Sequence, residues 1–120
     1  MRGPFKPAWL KTILVAGMLS VAASGAVMAQ AIQLGAVLPL TGPAAVIGTE
    51  EQHGIQFAIA EANAKGGVAG HKIELLSEDN QAKADQSILS FNKLVDLNHV
   101  GLLFTGYSGP SLAMAPLATR

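Results

Sequence analysis

Residues 32–79 read IQLGAVLPLTGPAAVIGTEEQHGIQFAIAEANAKGGVAGHKIELLSED, and the order of signals along them decides the fold. Ile32 to Leu38 is a short apolar run with β-branched members, ended by Pro39, and reads as a buried strand. Gly42 and Pro43 punctuate a loop over residues 39–48. From 49 to 65, Ile55, Ala58, Ile59 and Ala62 recur at helical spacing, with Thr49 as the expected N-cap and Glu50 and Glu51 where a helix N-terminus favours negative charge. Gly66-Gly67 stops the helix, Gly70 turns the chain, and residues 72–77 form a second strand ending in the polar loop Glu78-Asp79-Asn80. Two strands joined by a helix through short linkers predict a parallel pair.

The pattern repeats downstream. A helix is expected over 82–98, with Ile88, Phe91, Leu94 and Val95 on one face, then a third strand over 100–104. The loop TGYSGPS (105–111) leads into an alanine-rich helical start at 112–119. The expectation is therefore α/β, a doubly wound parallel sheet in the order βαβαβα. A parallel sheet needs helices over both faces, and three strands leave edges open. Residues 30–120 thus read as the N-terminal, incomplete part of a lobe in a longer chain.

Composition supports a division near residue 30. The 120 residues hold eight Lys+Arg and eight Asp+Glu, but Arg2, Lys6 and Lys11 all precede residue 30, where no acid occurs. The remainder is mildly acidic, with five bases against eight acids, which argues against a nucleic-acid partner. Residues 12–28, TILVAGMLSVAASGAVM, are uncharged and follow the basic start. Together they read as a signal peptide over 1–29, with small residues permitting cleavage before Gln30 or before Ile32. The apolar run falls short of the roughly 20 residues of a membrane span. Without cysteine there is no disulfide, thiolate metal site, cysteine nucleophile or lipid-modified N-terminal Cys, so a released periplasmic protein is expected.

Ligands of such sheets lie at the carboxyl ends of the strands, here the loops 39–48, 78–81 and 105–110. A dinucleotide fingerprint is absent after the first strand, where the text is PLTGPAAVIG, and there is no Walker-type loop. His53, His71 and His99 lack metal-ligand spacing, and no metal or cofactor is expected. Glu50-Glu51 is explained by the helix dipole and Glu78-Asp79 by a solvated strand end, although Asp79 faces the crevice and is kept as a ligand-site candidate. Before Pro110, Ser108 or Gly109 is expected to cap a helix whose free N-H groups point at the crevice. Two readings of Ser108 stay open: helix cap only, or part of an anion site.

The runs IQLGAVLPLTGP (32–43), Gly48 through EANAKGG to GHKIEL (48–75), EDNQ (78–81) and GYSGPSLAMAP (106–116) resemble the N-terminal lobe of type I periplasmic solute-binding proteins of the branched-chain amino acid transport family. The resemblance covers the whole part after the signal segment. It implies a two-lobed protein that closes on a small ligand, an amino acid or similar carboxylate, and presents it to an ABC transporter permease. It further implies that Ser108, flanked by Tyr107 and Gly109, receives the ligand α-carboxylate. The position that lines the ligand's side-chain pocket, usually aromatic in the family, is here Ile47 before Gly48. Well-known members join the second and third loops by a disulfide, at the places of Gln81 and Tyr107 here, and contact the ligand ammonium from segments beyond residue 120.

Two other functions compete. A sensor or receptor ectodomain with the same fold would be followed by a membrane span. A secreted α/β enzyme would need a base beside a nucleophile, and the crevice loops offer Thr41, Thr105, Tyr107 and Ser108 with no His, Cys or Lys so placed.

Overall fold

The computed structural model describes residues 30–119; the signal peptide expected over 1–29 lies outside the described residues. The elements in order are β1 (Ile32–Leu38), α1 (Ala45–Ala64), β2 (Ile73–Asp79), α2 (Ala84–Asn92) continued by a π-helical turn (Lys93–Leu97), β3 (Leu103–Thr105) and α3 (Ser108–Met114) closed by a 3-10 turn (Ala115–Thr119). The three strands form one parallel sheet in the order β2-β1-β3. Ile32 pairs with Ile73 and Leu38 with Asp79, while Gly35 to Val37 pair with Leu103 to Thr105. β1 is thus the middle strand of this sheet, which is why its last residues Ala36, Val37 and Leu38 are almost fully buried.

Alternation along β1 sends its side chains to two different layers. Val37 packs with Phe91, Leu94, Val100 and Met114, with Leu76 and Leu103 beside them, so the core lies between the sheet and α2 and α3. Leu34 and Leu38 face the other way, toward Ile55, Ala58 and Ile59 of α1. There the cover is partial: a cavity of about 590 Å³ opens between α1 and the sheet, and Phe57 and Val46 turn outward.

The C-terminal end of α1 is locked to β2 by one side chain. Asn63 donates through Nδ2 to the Ile73 carbonyl and accepts from the Ile73 N-H through Oδ1, both at 2.8 Å. The helix ends at Gly66-Gly67 as the sequence indicates, with the Gly67 N-H bonded to the Ala62 carbonyl at 2.9 Å.

Four boundaries differ from expectation, each for a physical reason. α1 begins at Ala45, one turn before Thr49, because the chain reverses at Gly42 and the Ala45 N-H bonds the Gly42 carbonyl. Thr49 is therefore no N-cap, and Glu50 and Glu51 sit in the second turn, beyond the strongest part of the dipole. α2 starts at Ala84 because Gln81 and Ala82 both take the left-handed conformation, with φ of 52° and 58°. β2 runs on to Asp79, since its polar end still pairs with β1. β3 starts at Leu103, because Val100 instead closes the preceding helix, its N-H bonded to the Leu94 carbonyl.

Candidate functional site

The carboxyl ends of β1, β2 and β3 bring the three expected loops to one edge of the sheet. Asp79, the last residue of β2, ties the first loop to the second. Its Oδ1 accepts from the N-H groups of Leu40 (2.9 Å), Thr41 (3.2 Å) and Gln81 (2.9 Å), and its Oδ2 from the Thr41 hydroxyl. Burial pushes the Asp79 carboxyl pKa up, but the Thr41 hydroxyl and the three N-H donors outweigh it and hold the pKa below the ordinary value. Asp79 thus serves here as a clasp between loops, and its oxygens already carry four donors.

Next to it, Asn80 is fully buried. Its N-H bonds the Leu38 carbonyl, and its Oδ1 accepts from the Ala82 N-H at 2.9 Å, which accounts for the left-handed turn at Gln81 and Ala82. Glu78 points to the side of the sheet and pairs with Lys93 at 2.7 Å, on the surface.

Ile47, expected in the loop after β1, lies instead within the first helical turn of α1, about half exposed. Gly48 beside it is buried against Pro39: a Cβ there would come 2.2 Å from the Pro39 carbonyl oxygen. Only glycine allows the helix to start this close to the end of β1.

The third loop is braced by a residue the sequence reading did not single out. Ser111 donates its hydroxyl to the Tyr107 carbonyl at 2.7 Å, and its Oγ lies 3.0 Å from the Thr105 hydroxyl. The expectation that Ser108 or Gly109 caps α3 with Pro110 in first position is corrected. Tyr107 occupies the N-cap position in an extended conformation, Ser108 and Gly109 are the first two helical residues, and buried Pro110 is the third. Ser111 lies four residues after Tyr107, the offset at which a hydroxyl inside a helix reaches back to a carbonyl. Ser108, Tyr107 and Gly109 are all exposed at the crevice edge, and among the described residues the Ser108 hydroxyl makes no hydrogen bond. The structure thus gathers Ser108, Tyr107 and Gly109 on one loop, with Asp79 on the neighbouring strand end and Ile47 on α1.

One further group is found at this edge. The Glu51 carboxylate lies against Gly106, where a Cβ would overlap both of its oxygens, and Glu51 Oε2 is shielded from solvent with no partner among the described residues. This contact spans 55 positions of sequence, which no local pattern reports. Among the described residues, no three His, Cys, Asp or Glu side chains converge as metal ligands, and no helix is long and apolar enough to cross a membrane.

Residues 31–120 match the family model described as periplasmic binding protein. The Leu/Ile/Val-binding protein homolog 7 of Brucella abortus (strain 2308) is 40% identical over 93 residues, covering 75% of this chain and 23% of the relative. The Leu/Ile/Val-binding protein of Escherichia coli (strain K12) is 34% identical over 83 residues, covering 69% of this chain and 23% of the relative. Among solved structures, the branched-chain amino acid transporter substrate binding protein LivJ from Streptococcus pneumoniae, in complex with isoleucine, superposes with a TM-score of 0.69 at 32% identity. That match covers 74% of this chain and 26% of the other. The chain spans about a quarter of the length of the relatives it matches.

Proposed function

Since the chain belongs to the periplasmic binding protein family, we propose that it captures an amino acid, of branched-chain type or a similar small carboxylate, for uptake by an ABC transporter. In this reading the protein is exported by residues 1–29, released into the periplasm after cleavage before Gln30 or Ile32, and delivers its ligand to the membrane permease. The ligand α-carboxylate is received by the Ser108 hydroxyl with the Tyr107–Gly109 backbone, Ile47 lines the side-chain pocket, and Asp79 holds the first two loops in place.

The observation that carries this reading is the division of labour between two serines on one short helix. Ser111 braces the loop, while Ser108, three residues earlier, has a hydroxyl with no hydrogen-bond partner among the described residues. A hydroxyl not needed by the fold, placed where ligands of parallel sheets bind, is available to a carboxylate. The Leu/Ile/Val-binding relatives and the isoleucine complex support the same ligand class.

Calorimetric titration of the full-length protein with leucine, isoleucine and valine tests the proposal. Saturable binding of one of them, without turnover of the ligand, is the expected result. Absence of binding to any amino acid removes the reading.

A further inference from the structure

We propose that the mature chain begins at Gln30, is held there by the His71 ring, and closes its N-terminal glutamine to a pyroglutamyl lactam. This rests on the export step of the reading above, removal of a signal segment before Gln30 or Ile32, and it chooses between the two sites. It is independent of which ligand the crevice takes.

Three observations carry it. First, the contacts of the fold begin at Gln30. His71 Nδ1 donates to the Gln30 carbonyl at 2.8 Å, and the Ile32 N-H donates to the Lys72 carbonyl at 2.8 Å, where the ladder opens with Ile32 opposite Ile73. Residues 30–32 therefore lie along 71–73. A carbonyl only accepts, so the ring carries a proton on Nδ1.

Second, the turn that carries His71 is tightly specified. Val68 and His71 exchange both backbone hydrogen bonds, at 2.9 Å each, across Ala69 and Gly70, whose φ values are 51° and 82°. Two left-handed residues in succession make a compact hairpin turn, and an alanine in that conformation is uncommon. Gly67 gives the turn room, since a Cβ there would come 2.0 Å from the His71 carbonyl oxygen.

Third, Gln30 is exposed, and the atom that His71 holds is its main-chain carbonyl. Cleavage before Gln30 leaves an α-amine on a residue that carries its own side-chain amide. The amine nitrogen bonds to Cδ, the Cδ–Nε2 bond breaks, and one amine proton departs with that nitrogen as ammonia. Nothing is oxidised or reduced, and no co-reactant is needed. The carbonyl bonded by His71 is untouched, so the contact survives the closure, while the terminal positive charge is removed. Cleavage before Ile32 would discard Gln30 and leave the His71 ring without this acceptor.

The test expresses the full-length chain with residues 1–29 in place, as parent, His71→Ala and Ser111→Ala, and recovers the secreted protein. Intact mass and N-terminal sequencing are read first, then the rate at which a pyroglutamyl peptidase releases the first residue. The parent is expected to start at Gln30, to be lighter by one ammonia, and to stay blocked to sequencing until the peptidase exposes Ala31. His71→Ala should have the same start and release that residue about three- to tenfold faster, because its terminus leaves the sheet edge more often. Ser111→Ala, weakened far from the terminus, should release it at the parent's rate. A start at Ile32, or at Gln30 with a free amine, overturns the inference and leaves export standing. Release that is unchanged in His71→Ala, or equally fast in Ser111→Ala, overturns the role of His71. A secreted or membrane-bound chain that retains Met1 overturns the export step, and the inference with it.

Discussion

The Asn63 side-chain amide satisfies both backbone polar groups of Ile73, so that the last turn of α1 is fastened to the first residue of β2 by a matched donor and acceptor at 2.8 Å each. These are part-buried, and the turn between them passes through three glycines, Gly66, Gly67 and Gly70, that add no side-chain packing. The Asn63 side chain therefore reinforces a connection that is otherwise held by the backbone pair between Val68 and His71.

Replacing Asn63 with Ala should destabilise the fold by about 1–3 kcal/mol, since two hydrogen bonds are lost and the Ile73 groups are left part-buried. Asn63→Asp keeps the acceptor but sets a charged oxygen against the Ile73 carbonyl, and should cost at least as much as Asn63→Ala. Urea melts of the three proteins check the ranking.

Two glycines of α1 should respond oppositely to alanine. At Gly48 the added carbon meets the Pro39 carbonyl, backbone against backbone, and α1 must shift away from β1, costing about 1–3 kcal/mol. At Gly54 nothing lies within 4 Å, and alanine should stabilise by about 0.5–1 kcal/mol through helix propensity. Thermal melts of both variants should shift in opposite directions.

The clasp at Asp79 should be visible in acid. Its folded-state pKa lies below the ordinary value of 3.8, so its contribution to stability is complete above about pH 4 and is lost as pH falls through the lower folded value. The parent should lose stability more steeply below pH 4 than Asp79→Asn, with the two curves converging at the acid end. Chemical melts taken from pH 7 down to pH 2 measure this.

Ser108→Ala and Ser111→Ala separate binding from bracing. Loss of a charge-assisted bond at Ser108, about 1.5–3 kcal/mol, should weaken ligand binding by about one to two orders of magnitude and leave the melt nearly unchanged. Ser111→Ala removes the link to the Tyr107 carbonyl and should lower stability by about 1 kcal/mol. Titration and melts of both variants in the full-length protein decide. Unchanged affinity in Ser108→Ala would take the carboxylate role from that residue.

What was legible in the sequence was whatever is encoded locally. Ile32 to Leu38 is observed as a strand over the residues read for it, because a short apolar run between polar ends has few alternatives. The helix stop at Gly66-Gly67 and the parallel order followed from turn chemistry and linker length. Helix starts were less legible. Thr49 is a good capping residue by type, yet the reversal at Gly42 nucleates the helix a turn earlier, and Pro110 sits in the third position of α3, two residues past the place its missing N-H suggested. Within the candidate site, local sequence can propose only groupings of neighbours, such as Tyr107, Ser108 and Gly109. Asp79 reaches Thr41 across 38 positions, and Glu51 reaches Gly106 across 55, both brought together by the sheet and not by any spacing.

The central place of β1 also sets the order in which the chain can fold. Both of its partners are made after it, so Ile32 waits about 40 residues for Ile73, and Gly35 about 70 for Leu103. Closing the longer loop costs only about 0.5 kcal/mol more than the shorter. What separates the two events is the return: seven paired positions against three. The strand-helix-strand unit from Ile32 to Asp79 is thus the natural nucleus, with β3 joining a ladder already formed. Substitutions at Leu34 or Leu75 should slow folding, whereas those at Leu103 should act mainly by hastening unfolding.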